Sequence, residues 1–148
     1  MTALCLDSSI VCTLLLQEPG WQAVHRVILR DDVDGILPGP ALTESITVVR
    51  RKGNTSTPKH LYEALTALGL AVEHPTDTDL IRAAELIEIS IDNPGPPSPR
   101  SDQDATLSLG DALILAVTER LGCMVLTRDT YWKWMVDQGL LGVRVAVP

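Results

Sequence analysis

The chain has three cysteines, Cys5, Cys12 and Cys123, and no C-x-x-C pair among them. An odd number at such spacings supports neither a disulfide framework nor a cysteine-built zinc site, and fits a reducing cytoplasm. It has no apolar run near the ~20 residues that cross a bilayer, so no membrane association is expected. The opening Met1-Thr2-Ala3-Leu4-Cys5-Leu6-Asp7 lacks a basic stretch followed by a long apolar one, and a secretory signal is not expected either. Basic residues are scarce, 12 Lys and Arg against 19 Asp and Glu for a net charge of −7. That balance argues against a basic module that coats nucleic acid, and leaves room for an acidic site that holds metal cations. With 148 residues, 45% of them hydrophobic, and no internal repeat, residues 1–148 are expected to form one well-buried domain.

What the chain does have is concentrated between Leu107 and Asp129, LSLGDALILAVTERLGCMVLTRD. The pattern predicts a helix, a short turn and a strand, with an acidic residue just beyond. Ser108 and Asp111 have the spacing of a capping box, and Ala112 to Val117 is almost wholly apolar, as in a deeply packed helix. Gly122 stops that helix, and Cys123-Met124-Val125-Leu126 reads as a central parallel strand. The helical neighbours of Asp111 are Leu107, Ile114 and Leu115, so its carboxylate stands beside an apolar face. A buried carboxylate is costly unless a cation, a proton or hydrogen bonds compensate it. Asp111 is therefore either a cap bonding the Ser108 N–H or one of several acids that share a cation. Asp129 carries the same two alternatives, since it can cap a helix starting at Thr130.

Upstream, Ala3 to Leu6 is predicted as a strand with Asp7-Ser8-Ser9 at its carboxyl end. Asp7 can cap a helix from Ser8 to about Gln17, which Pro19-Gly20 breaks. A second helix, Trp21 to about Arg30, places Trp21, Val24 and Ile28 on one face. Gly35 to Leu37 is a brief strand, and Pro40 suits the first position of a helix running from Ala41 to about Lys52, with Leu42, Ile46 and Val49 as its apolar stripe. Glu44 lies at the edge of that stripe, as an ordinary surface glutamate or as a fourth acid of the cluster. Arg50-Arg51-Lys52 suit the negative end of the same helix and could equally contact phosphates; Arg50, with Arg128 beside Asp129, is the candidate substrate-binding pair. A fourth helix runs from Thr57-Pro58 to Gly69 with Leu61, Leu65 and Leu68 inward, and Leu70 to Val72 is a strand. The fifth helix begins near Thr76 with Leu80, Ala84, Ile87 and Ile91 facing inward. Residues 92–106 hold Pro94, Gly95, Pro96, Pro97 and Pro99 and are expected to form a long loop leading into the Asp111 helix, either functional or disordered. A short helix, Thr130 to Gln138 with Trp132 and Trp134, and a strand, Val143 to Val147, complete the order.

Strands alternating with helices imply right-handed βαβ crossovers and an α/β fold with a mainly parallel sheet. Ligands bind such sheets at the carboxyl ends of strands, where the strand order reverses. If the first and fourth strands are neighbours there, Asp7 and Asp129 meet, and Asp111 and Glu44 can face the same crevice. Four carboxylates in one crevice call for cations, and oxygen-only ligation favours Mg²⁺ or Mn²⁺ over zinc. Ser9 and Thr127 can orient a carboxylate or a water from behind, or serve as backbone caps. His25, His60 and His74 fall outside these motifs and read as surface or packing residues.

Asp7 after the first strand, Glu44 after PALT, SLGDALILA around Asp111 and TRD around Asp129 together resemble the PIN-domain ribonucleases, and among them the VapC-type toxins of bacterial toxin–antitoxin pairs. The resemblance spans essentially the whole chain and implies a five-stranded parallel sheet. It also implies a Mg²⁺- or Mn²⁺-dependent endoribonuclease, a homodimer, and a cognate antitoxin that inhibits it. The helix bearing Trp21, Val24 and Ile28 and the one bearing Glu44 are the expected walls of an antitoxin groove. The Pro-rich stretch at 92–106 is longer than usual for such toxins. A phosphatase of the haloacid-dehalogenase type would need a second Asp where Ser9 stands, and a binding module that had lost its activity would lack some of the four acids. The nearest functional alternative is a PIN-type nuclease of RNA processing.

Overall fold

In a computed structural model of the chain, residues 1–96 and 105–148 are described. Five strands form one sheet in the order β3-β2-β1-β4-β5, and every neighbouring pair is parallel. They are β1 (Thr2–Leu6), β2 (Val33–Pro38), β3 (Ala71–Glu73), β4 (Met124–Leu126) and β5 (Arg144–Ala146). The helices between them are α1 (Ser8–Leu16), α2 (Trp21–Ile28), α3 (Gly39–Arg51), α4 (Pro58–Ala67), α5 (Asp77–Asp92), α6 (Leu109–Leu121) and α7 (Thr130–Asp137). The α/β parallel architecture expected from the alternation is the one found. Leu4, Cys5 and Leu6 lie opposite Met124, Val125 and Leu126, so the first and fourth strands are indeed neighbours. Winding runs outward from β1 to β3 on one side and from β4 to β5 on the other, which puts the topological switch between β1 and β4.

The central strands are buried on both faces, as parallel sheets require. Leu6, Ile10, Leu37, Leu65, Leu86, Ile114, Leu115, Trp132 and Met135 are fully buried around them. All three cysteines are free and buried, and the thiols of Cys5 and Cys123 touch across β1 and β4 at 3.1 Å. The expected loop over 92–106 falls mostly on residues 97–104, which lie outside the described residues. Its two ends are joined by a bridge in which the Gly95 N–H donates to the Ala105 carbonyl at 2.8 Å.

Two helix faces differ from the pattern read in the sequence. In α5 the buried positions are Asp79, Ala83, Leu86 and Ser90, one residue out of step with the expected stripe, while Leu80 and Ile91 are 51% and 64% exposed. Polar anchors decide this register. Asp79 closes a capping box with Thr76 and receives the Arg120 guanidinium of α6 at 2.8 Å, and Ser90 is hydrogen-bonded to Leu107 and Tyr131 at the other end. Turning the apolar stripe inward would strand both groups without partners, a penalty of roughly 1–3 kcal/mol each and more for the charge. In α3 the deepest positions are Ala41, Ser45 and Val49, with Leu42 and Ile46 only half-buried. Small residues let α3 approach both α1 and α6, and Ser45 satisfies its own hydroxyl by donating to the Leu42 carbonyl at 3.0 Å.

Candidate active site

Asp7 follows β1 directly, and its N–H extends the ladder by donating to the Leu126 carbonyl at 3.0 Å. It is 3% exposed and caps α1, with Oδ1 accepting the Ser8 N–H at 2.7 Å. Oδ2 accepts two hydroxyls, Ser9 at 2.8 Å and the fully buried Thr127 at 2.7 Å. Those hydroxyls are themselves held, since Ser9 Oγ accepts the Arg128 N–H and Thr127 Oγ1 accepts the Asp129 N–H, each at 3.0 Å. Ser9 and Thr127 thus act on the Asp7 carboxylate and tie the loop after β4 to the end of β1.

The other three acids sit around this one. Asp111 is the third residue of α6 and forms a complete capping box with Ser108, 3.1 Å in each direction. Asp129 caps α7, with Oδ1 accepting the Tyr131 N–H at 2.9 Å. Glu44 lies in the second turn of α3, and its Oε2 accepts the Ser8 hydroxyl at 3.0 Å. Its other oxygen lies against Gly110, where any Cβ would collide with the carboxylate. Among the described residues, Asp111 Oδ1, Asp129 Oδ2 and Glu44 Oε1 receive no hydrogen bond. Also among the described residues, no three of His, Cys, Asp or Glu stand close enough to hold one ion as they are.

The electrostatics nevertheless register a cluster. Burial pushes the Asp111 carboxyl up to about 7 from its ordinary 3.8; the Ser108 N–H opposes the rise, and the charges of Asp7 and Asp129 add to it. Burial also raises Asp129, against the Tyr131 N–H and with help from Asp7. Glu44 is raised by burial as well, eased by the Ser8 hydroxyl and raised further by Asp7. Asp7 is the one charge felt by all three. Capping and clustering are therefore not alternatives for Asp111 and Asp129, because each gives one oxygen to its cap and keeps the other.

Arg128 and Arg50, the expected phosphate contacts, are placed differently. Both are exposed, but the Arg128 guanidinium donates to the Pro19 carbonyl at 2.6 Å, bracing the turn between α1 and α2, and Arg50 lies in the last turn of α3. Sequence reasoning missed Ser8 and Gly110. The signal for Ser8 was the run of hydroxyls after Asp7; for Gly110 it was a glycine in the first turn of an otherwise strong helix, which costs about 1 kcal/mol unless close approach requires it.

An acidic crevice at the switch point of a parallel sheet stands where such sheets bind their ligands. The chain belongs to the PIN domain family, whose model matches residues 4–135. Among curated protein sequences none matches it significantly. Among solved structures, VapBC2 of Rickettsia felis, bound to a DNA fragment from its promoter, superposes with a TM-score of 0.70 at 11% identity, over 99% of this chain and 98% of that one. VapC20 of Mycobacterium tuberculosis, described as a toxin cleaving the sarcin–ricin loop, gives 0.67 at 16% identity, over 88% and 93%. A toxin–antitoxin complex from Klebsiella pneumoniae gives 0.60 at 14% identity, over 86% and 87%.

The raised Asp111 carboxyl fixes the sign of one pH effect. The folded chain holds this proton more tightly than the unfolded chain, so ionisation lowers metal-free stability as pH rises from about 4 through 7. In EDTA, Asp111→Asn is therefore expected to melt above wild type at pH 8, with the gap narrowing as the pH is lowered towards 5. Calorimetric scans across that range check it, and a gap that is absent, or that widens at low pH, contradicts the clustered site.

Proposed function

We propose that this chain, as a single PIN domain over residues 1–148, is a divalent-metal endoribonuclease that acts in the cytoplasm as the toxin of a toxin–antitoxin pair. The observation that carries the reading is the position of Asp7, whose charge reaches Glu44, Asp111 and Asp129 at the switch between β1 and β4. The donor set fits a hard cation, being all carboxylate oxygen with no His or Cys among the four. Asp7, Glu44, Asp111 and Asp129 would hold one or two Mg²⁺ or Mn²⁺ ions, directly or through water. Bound there, such an ion acidifies a water and offsets the charge that builds on the phosphoryl oxygens.

The chain's own residues prepare that chemistry. Ser9, Thr127 and the Ser8 N–H fix both oxygens of Asp7, so its charge stays aimed into the crevice. Asp111, whose carboxyl burial pushes up to about 7, would have to release its proton to hold a cation, which would couple metal binding to pH. Ser8 holds Glu44 in place from α1, and Gly110 leaves it room against α6. Arg128 and Arg50 stand outside the acidic cluster, where contact with RNA phosphates remains open to them.

Two surfaces support the partners. An apolar groove of about 240 Å³ lies between α1, α2 and α4, lined by Leu14, Leu15, Trp21, His25, Ala64 and Leu68. Of the two helices expected as walls, α2 lines it through Trp21 and His25. Val24 and Ile28 are buried in the core and α3 takes no part. An amphipathic antitoxin helix fits this groove, with an Arg or Lys near the carboxylates. The outer face of α5, with exposed Leu80, Ala84 and Ile91 around a half-buried Ile87, suits a second copy of the chain.

With Mg²⁺ or Mn²⁺ the purified chain is expected to cut RNA, and Asp7→Ala to lose at least a hundredfold in rate while staying folded; expression of the wild type alone should arrest growth, and co-expression of an adjacent small antitoxin gene should restore it. Undiminished cleavage in EDTA would refute the metal dependence, undiminished cleavage by Asp7→Ala would refute the assigned site, and normal growth with soluble active protein would refute the toxin. For the α5 face, light scattering should find a wild-type dimer and a folded Leu80→Lys monomer. A wild-type monomer at tens of micromolar chain would remove the α5 pairing.

A further inference from the structure

The base of the Pro-rich segment is tied to the acidic site by a hydrogen-bond chain that passes through Tyr131. The phenol donates to the Asn93 carbonyl at 2.8 Å. A phenol has one proton, so its 3.0 Å contact with Ser90 Oγ must run the other way, with the serine donating. Ser90 Oγ is then left as acceptor for the Leu107 N–H at 2.7 Å. All three side chains are buried, Ser90 completely, Tyr131 at 5% and Leu107 at 7% exposure. Each donor has one acceptor and each link points the same way, an arrangement that strengthens its members mutually.

The chain connects the two helix starts that carry acids. On one side the Tyr131 N–H holds Asp129 Oδ1. On the other, Leu107 directly precedes Ser108, whose box holds Asp111. The ring is confined as well. It stacks on Trp134 with centroids 5.7 Å apart, and a Cβ at Gly95 would collide with its Cδ1 and Cε1, so the bridge between Gly95 and Ala105 packs closely against it. Core packing alone would explain the ring. It does not explain a hydroxyl that satisfies one end of the segment directly and the other through Ser90.

We infer that Tyr131, with Ser90, is a positioning residue that sets the Asp111 helix against Asp129 and so fixes how the crevice receives a divalent cation. The inference rests on the proposed metal site, and its test is separable from nuclease activity. Tyr131→Phe removes only the hydroxyl; Ser90→Ala removes the middle link, and Ser90→Thr restores it.

The readout is the Mg²⁺ concentration giving half of the metal-induced rise in melting temperature, with hydrogen exchange at the Leu107 amide measured in parallel. Tyr131→Phe and Ser90→Ala should each raise that concentration at least threefold and speed Leu107 exchange, the double variant should be no worse than the singles, and Ser90→Thr should return to wild type. On RNA, kcat at fixed Mg²⁺ should fall while KM for RNA stays within twofold. Variants that melt lower but keep the wild-type Mg²⁺ midpoint would overturn the inference and leave the hydroxyl a purely structural role. A wild type that responds to Mg²⁺ but does not cut RNA would defeat the nuclease reading alone, and one that does not respond to Mg²⁺ would defeat both.

Discussion

Everything at the candidate site depends on one carboxylate held where water barely reaches. Asp7 is nearly inaccessible at the end of a central strand, and the chain meets the cost of burying it with two hydroxyls and a backbone N–H. Those bonds come from both sides of the switch point, from α1 and from the loop after β4. The same contacts that solvate Asp7 therefore also join the two halves of the sheet. Its charge then raises the cost of ionising Glu44, Asp111 and Asp129.

Helix ends make this tolerable. Asp7 caps α1, Asp129 caps α7 and Asp111 lies in the first turn of α6, so three acids meet three positive helix termini. Each such placement is worth about 0.3–1 kcal/mol, up to ~2 when partly buried. A parallel sheet delivers helix starts to the carboxyl ends of its strands, as it does for Asp7 after β1 and Asp129 after β4. At Asp111 and Asp129 the cap holds one oxygen and leaves the other without a hydrogen bond among the described residues, whereas at Asp7 both oxygens are held.

Much of this was legible in the sequence because it is written in local pattern. Alternating strands and helices gave the parallel sheet, Ser108 and Asp111 gave the capping box, and the acids after β1 and β4 marked the switch point. What periodicity could not reveal was set by partners distant in the chain. The inward face of α5 follows Arg120 and Tyr131, which claim Asp79 and Ser90, and no count of apolar residues within 77–92 could anticipate that. Ser8 and Gly110 gain their meaning only once α3 brings Glu44 between α1 and α6.

The central claim is that the four acids form one cation site organised by Asp7. The most direct measurement is a Mn²⁺ titration followed by electron paramagnetic resonance, which counts free Mn²⁺ by its six-line signal. Wild-type protein is predicted to withdraw Mn²⁺ stoichiometrically, with Mg²⁺ displacing it, whereas Asp7→Asn, still folded, leaves the signal of free Mn²⁺ nearly intact. Equal uptake by the two proteins, or no uptake by the wild type, would contradict the account.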